Sequence, residues 1–319
     1  MDPVPAILRE LERARRIVLL GHIDPDGDSA GCILALASAL SDREVYCYSQ
    51  GALPSRYVFL DPRGLLKHEV NENFGADLAI AVESPQQSRL GQGIAMAQGV
   101  RLVNIDHHRD NEHYGDVNWV DTSAAALGEM VYELLVAWGK PITPEIASCL
   151  YAAILTDTGR FRFHGTSART LAICSELVKC GADPAEITRQ IYFGLPFGYL
   201  QLMRAALSGM EQEAGGRVLA FTLLPEHFEK AGAGPQDAEG IIDLTLLSDQ
   251  VEIGMLFRQP AADLVKISFR SQDGVDVGQL AALWGGGGHK NASGCTVKGQ
   301  LSDVKPLVLK RAAEWLARA

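Results

Sequence analysis

One stretch, GHIDPDGDSAG at 21–31, constrains this chain more than any other. Apolar runs at 17–20 and 32–40 flank it, the layout of a buried strand, a tight turn and a helix. The turn carries His22, Asp24, Asp26 and Asp28, with Gly27 between the last two aspartates. So many polar groups at the end of a buried strand call for a counter-charge, and a metal ion supplies one. A polar turn capping the helix through Ser29 or Asp28 accounts for the same residues more simply. A calcium loop does not: its sixth position is Ser29 rather than Gly, and its twelfth is Ala35 rather than Glu.

The rest of the chain decides in favour of a metal. Glu83 follows an apolar run at 78–82, Asp106, His107 and His108 follow another at 102–105, and Asp157 ends a helical pattern at 144–155 in the stretch LTDTGRF. Any one of these fits ordinary polarity at the end of an element. Together they place ligand-type side chains at the ends of successive elements. The donors are oxygen and nitrogen without thiolate, which favours Mn²⁺, with Mg²⁺ as the other choice, over structural zinc. Asp26, Asp28, Glu83 and Asp157 bring four negative charges, which would raise one another's pKa values unless two divalent cations balanced them. Such a pair of ions acidifies a water between them and suits in-line attack on phosphorus.

The pattern of short apolar strands followed by helices predicts an α/β fold, a doubly wound and mostly parallel sheet, over 1–184. Strands are expected at 17–20, 45–49, 78–82 and 102–105, and helices at 29–40, 124–138, 144–155 and 167–180. A helical connector is expected over 185–213. A smaller α+β domain follows over 214–319, with strands at 218–224, 250–257, 264–270 and 292–297 and helices at 238–247, 277–283 and 303–317. A length of 319 residues suits two domains. No apolar run is long enough to span a membrane, nothing resembles a signal peptide, and the six scattered cysteines form no C-x-x-C pair. A cytoplasmic protein with no membrane partner is therefore expected. The net charge of −10 argues against a broad groove for long duplex nucleic acid, though not against a small anionic substrate.

HIDPDGD, the acidic residue after the third strand, DHH at 106–108, TDTGRF and GGGGHKNASG, in that order, resemble the DHH phosphoesterases, nearest to the nanoRNase and 3′-phosphoadenosine-5′-phosphate phosphatase type with a DHH-associated C-terminal domain. The resemblance spans nearly the whole chain. It implies that His22 and Asp26 hold one metal, that Asp28, His107 and Asp157 hold the other, and that Glu83 bridges them. It gives His108 the substrate phosphate as electrophile or acid, and Asp106 the orientation of the histidines. Arg109 and Asn111 are expected near the phosphate. The bridging residue of the family is usually Asp. The extra methylene of Glu83 moves the carboxylate by about one C–C bond, ~1.5 Å.

GGGGHK is no P-loop, because His289 separates the glycines from Lys290 and no G-K-[ST] follows. Glycines let backbone N–H groups approach an anion, so Gly286, Gly287 and Gly288, with His289, Lys290 and Arg270, are candidate substrate contacts. A flexible linker and a surface ion pair of Arg270 are the simpler alternatives. The resulting expectation is a manganese-dependent hydrolase with two ions per site. It cleaves short oligoribonucleotides and linear dinucleotides to mononucleotides, and takes 3′-phosphoadenosine 5′-phosphate as a further substrate. A pyrophosphatase or polyphosphatase and a catalytically weakened nucleotide sensor are the alternatives. A homodimer is expected from the resemblance.

Overall fold

The computed structural model describes residues 3–272 and 274–317, the side chain of His289 excepted. The chain divides into two units, one ending at Leu195 and the other starting at Pro196.

In the first unit, α1 (Val4–Arg13) leads into β1 (Arg16–Leu20), α2 (Gly27–Ala39), β2 (Glu44–Tyr48), β3 (Leu66–Lys67), β4 (Leu78–Val82), β5 (Arg101–Asp106) and β6 (Val117–Val120). The helices α3 (Leu127–Ala137), α4 (Pro144–Asp157), α5 (Ala168–Lys179) and α6 (Pro184–Thr188) follow. All six strands are parallel, in the order β3-β2-β1-β4-β5-β6. Every residue of β4 is buried, as a strand covered on both faces requires. On one face Ile17, Leu19, Ile80, Val103 and Ile105 pack with α1 to α5. On the other, Val18, Leu20, Ala79 and Ala81 meet Leu90 and Met96 from a 3₁₀ stretch, Gln87–Ala97. The chain leaves β1 for β2 on one side and later returns to its other side as β4. That reversal opens a crevice at the carboxyl ends of β1 and β4.

Helix α2 lies almost backbone to backbone on α4. A Cβ on Gly31 would sit 2.5 Å from the carbonyl oxygen of Cys149, so only glycine fits. Thr143 caps α4 at its start, and Asp157 is the last residue of that helix.

The second unit runs α7 (Phe197–Ser208), β7 (Glu211–Glu213), β8 (Val218–Leu223), α8 (Pro225–Ala231), β9 (Ile253–Ala261), β10 (Leu264–Ser271), α9 (Val277–Ala282), β11 (Gly287–His289), β12 (Ala292–Lys298) and α10 (Leu301–Leu316). The sheet order is β11-β12-β10-β9-β8-β7, antiparallel except for the β8–β9 pair. Strand β10 alternates cleanly. Val265, Ile267 and Phe269 enter the core with residues of α9 and α10, leaving Lys266, Ser268 and Arg270 on the other face.

Three expectations change. The helix expected over 238–247 is two 3₁₀ segments, Pro235–Ala238 and Ile241–Leu247, broken where Gly240 takes φ +80°. The glycine cluster is not an open loop: Gly287–His289 pairs with β12 as an edge strand. A Cβ on Gly286 would lie 2.2 Å from the Gly294 carbonyl oxygen, so close strand approach explains that glycine without any ligand. The stretch expected as a connector is divided, α6 belonging to the first unit and α7 to the second.

Candidate metal centre

Parallel strands bring their carboxyl ends side by side, so residues far apart in sequence converge there. His22 lies just beyond β1, Glu83 directly follows β4, His107 directly follows β5, and Asp28 and Asp157 come from the start of α2 and the end of α4. Their ligand atoms fall into two groups, each within 4.8 Å: His22, Asp26 and Glu83 in one, and Asp28, Glu83, His107 and Asp157 in the other. Glu83 belongs to both.

The first group is set by the turn. Asp26, not Ser29 or Asp28, caps α2, its Oδ1 accepting from the backbone N–H groups of Asp28 (3.1 Å) and Ser29 (3.0 Å). Its Oδ2 faces His22 Nε2 at 3.7 Å, and Glu83 Oε2 lies at the same distance from that nitrogen. His22 Nδ1 donates to the carbonyl of Ile23 (2.7 Å), which turns the Nε2 lone pair toward the carboxylates.

In the second group His107 Nδ1 donates to the carbonyl of Ala124 (3.1 Å), and its Nε2 lies 3.5 Å from Asp157 Oδ2 and 3.9 Å from Asp28 Oδ2. Asp28 is anchored at the start of α3. Its Oδ2 accepts from Leu127 N (2.6 Å), and its Oδ1 accepts from Gly128 N (3.0 Å) and from the Cys32 thiol (3.3 Å). Neither the helix start nor the thiol carries a motif that sequence reading could find. Glu83 holds left-handed backbone, φ +52°, which costs a non-glycine residue about 1–2 kcal/mol. Strain of this kind concentrates at functional positions.

Burial, followed by the nearby Asp157 charge, pushes the Asp28 carboxyl up to about 7. Burial, then the carboxylates of Asp26, Asp28 and Asp157, pushes Glu83 well above the usual range. Burial disfavours a charged His107, but Asp157 and Asp28 outweigh it and raise that pKa. Asp26, the most exposed of the four carboxylates, departs from the expected mutual raising. What burial costs it is outweighed by His22 and by the Ser29 N–H, and it stays below the usual range. Meanwhile Glu83 Oε2 is buried and has no hydrogen-bond partner among the described residues. An orphaned oxygen on the residue common to both groups, with an imidazole in each group that turns Nε2 toward carboxylates, fits a pair of divalent cations.

The other expected residues divide. His108 Nδ1 meets Asp106 Oδ1 at 2.8 Å. Burial opposes the charge on Asp106, but His108 and Asn111 hold its pKa at about 2, so the ring nitrogen is the donor. Asn111 does not face outward to a phosphate. Its amide nitrogen donates to Asp106 Oδ2 (2.6 Å) and Asn104 Oδ1 (2.8 Å). Arg109 and Lys290 are exposed. Arg270 pairs with Asp243 (3.2 Å), the simpler of its two readings. The side chain of His289 lies outside the described residues. Arg89, which sequence reading passed over, brings Nη2 to 3.2 Å from His22 Nδ1 from within an irregular 3₁₀ stretch that offers no pattern to read.

Comparison with known proteins supplies the context. Residues 16–154 match the DHH family N-terminal domain and residues 204–318 match the DHHA1 domain. A bifunctional oligoribonuclease and PAP phosphatase of Thermus thermophilus is 34% identical over 324 residues, covering 100% of this chain and 95% of the relative. A Bacillus subtilis protein of the same description is 29% identical, covering 91% and 92%. The crystal structure of an exopolyphosphatase-related protein from Bacteroides fragilis is similar with a TM-score of 0.87 and 26% identity, over 99% of this chain and 97% of that one. The strand ends that gather His22, Glu83 and His107 lie within or beside the matched N-terminal domain, and the whole-length likeness carries the second unit with it; this chain belongs to the DHH family of phosphoesterases.

Proposed function

We propose that this chain is a metal-dependent phosphoesterase that hydrolyses short oligoribonucleotides to mononucleotides and removes the 3′-phosphate of 3′-phosphoadenosine 5′-phosphate. The observation that carries this reading is the pair of ligand groups sharing Glu83, on a chain similar throughout to proteins described as bifunctional oligoribonucleases and PAP phosphatases. His22 and Asp26 would hold one cation, Asp28, His107 and Asp157 the other, with Glu83 between them. Mn²⁺ is the ion we assign, Mg²⁺ being the alternative for the same oxygen and nitrogen donors. When bound, the cations supply Lewis acidity to the phosphoryl group and acidify water.

The chain's own residues do the rest. Asp106 accepts from His108 Nδ1–H, which leaves Nε2 for the substrate, where it would need to carry a second proton in order to steady or protonate the phosphate. The start of α3 fixes Asp28, so that ligand is already in place before a cation arrives. Arg270, with Gly286, Gly287, Gly288, His289 and Lys290, is assigned to the nucleotide, and Arg109 to the phosphate. Among the described residues no helix is long and apolar enough to cross a membrane. All six cysteines are unbridged, in keeping with the reducing cytoplasm. We assign a homodimer as the working form.

The test is hydrolysis of a linear diadenosine dinucleotide, 3′-phosphoadenosine 5′-phosphate and pyrophosphate, each with Mn²⁺, with Mg²⁺ and with a chelator. Metal-dependent release of mononucleotide from the first two, well above pyrophosphate cleavage, is the expected result. Preference for pyrophosphate or polyphosphate would favour the second reading, which the similarity to an exopolyphosphatase-related structure supports. Tight dinucleotide binding without turnover would mark a sensor.

A further inference from the structure

A partly buried chain of hydrogen bonds joins the end of β4 to the end of β5 without using the side chain of any candidate metal ligand. Asp106 is fully buried, and both its oxygens are engaged. Oδ1 accepts from His108 Nδ1 (2.8 Å) and from the His107 backbone N–H (2.9 Å), and Oδ2 accepts from Asn111 Nδ2 (2.6 Å). The same Asn111 nitrogen donates its second hydrogen to Asn104 Oδ1 (2.8 Å). Asn104, also fully buried, sends its own Nδ2 to the Tyr114 hydroxyl (3.2 Å) and the Ser84 carbonyl (3.3 Å). Tyr114 donates to that carbonyl as well, at 2.9 Å. Ser84 is the residue after Glu83. Asn111 is itself held, because its Oδ1 accepts from the backbone N–H of His113 (2.8 Å), a residue in left-handed conformation.

This arrangement asks for a donor, not just for a shape. Two acceptors point at one nitrogen, and an amide NH₂ satisfies both. A carboxylate of the same size would place oxygen against oxygen at both contacts. Without the amide, the torsion that turns the Asp106 carboxyl is broad and shallow. Its Oδ1 would then no longer meet the His108 ring along one direction. We propose that Asn111 is a positioning residue for the phosphoester reaction. It sets the plane of the Asp106 carboxylate, and through it the tautomer and orientation of His108, while Asn104, Tyr114 and the Ser84 carbonyl tie that amide to the end of β4.

The kinetic part of this inference rests on the hydrolase reading above, and the spectroscopic part does not. Asn111→Ala, Asn111→Asp, His108→Ala and the Asn111→Ala/His108→Ala double variant are compared with wild type on a linear dinucleotide. Asn111→Ala lowers kcat by about 10–100-fold, leaves KM within about threefold, and has less than about threefold effect once His108 is gone. Asn111→Asp falls at least as far although it fills the same volume. In parallel, ¹⁵N-histidine spectra of the Mg²⁺-loaded protein report the ring nitrogens, with the His108 signals assigned by their loss in His108→Ala. Wild type shows the Nδ1–H form, and Asn111→Ala shows a mixture of tautomers. Tyr114→Phe keeps the ring and removes only the far hydroxyl. It moves the same signals the same way by a smaller amount, and gives the readout even where Asn111 variants do not fold. An unchanged His108 spectrum in folded variants overturns the proposal, and so does an equal kinetic loss with and without His108. A protein inactive on every substrate overturns the hydrolase reading and leaves the spectra to judge this one.

Discussion

Glu83 and Asp28 hold their protons to a higher pH in the folded chain than in the unfolded one, because burial and neighbouring carboxylates disfavour their charge. The sign of the pH dependence follows. Stabilisation by a proton on Asp28 is fully present below its unfolded value of 3.8 and is lost as pH rises through about 7. His107, raised too, adds in the same direction, since its stabilisation is lost as pH rises past its folded value. Asp106 acts oppositely, but only as pH falls toward about 2. The metal-free protein is therefore expected to melt at lower temperature at pH 8 than at pH 5, and saturating Mg²⁺ or Mn²⁺ to remove that fall. Thermal melts with and without chelator read this directly, and a chelated protein that gains stability toward pH 8 would contradict it. The ligand types were legible in the sequence because a carboxylate or an imidazole at a strand end names its own chemistry. The work of Asn111 was not, because it depends on where a short loop with a left-handed His113 turns one amide. The capping role of Asp26 was missed for a similar reason: three neighbouring side chains were equally suited, and only the backbone selects among them.

Among the elements, α2 and α4 decide whether Asp28 and Asp157 meet. Their close approach rests on Gly31, which faces the Cys149 carbonyl. Gly31→Val forces the helices apart. It is expected to destabilise the first unit by about 1–3 kcal/mol, the usual cost of overpacking, and to weaken divalent-metal binding at least tenfold. Urea melts and metal titration by calorimetry check the two effects, and loss of stability with unchanged metal affinity would separate the helix contact from the site. Four of the six strands of the first unit, β1, β2, β4 and β5, were legible as short apolar runs close to where they were expected, whereas the two-residue β3 and the half-buried β6 were not. Two stretches of the second unit were not legible either. Strand β11 consists of glycines and one histidine, which carry no hydrophobic period, and its pairing comes from β12 alone. Segment 241–247 has apolar spacing that reads as a helix, yet Gly240 interrupts the approach and the turn tightens to 3₁₀.

At the scale of the whole molecule the chain carries ten more negative than positive side-chain charges, and its candidate site adds carboxylates at the crevice. Weak binding of long polyanions is therefore expected, since a substrate with one or two phosphates needs fewer cations to hold it. Arg270 of the second unit is proposed as a contact for the nucleotide. Arg270→Ala is expected to raise KM for a dinucleotide about tenfold, ~1.4 kcal/mol, while leaving hydrolysis of a generic small phosphodiester nearly unchanged. Steady-state kinetics on both substrates make the comparison, and equal losses would show that Arg270 only supports the fold through Asp243.

The order of the ligands along the chain has a consequence for synthesis. A growing chain emerges N-terminus first, so His22 and Asp26 appear early, Glu83 and His107 later, and Asp157 last. Until α4 has emerged and closed on α2, the group of Asp28, Glu83, His107 and Asp157 stays incomplete, whereas the group of His22, Asp26 and Glu83 needs only the turn after β1 and the end of β4. The two candidate groups are therefore completed at different moments of synthesis, the one that includes Asp157 being the later.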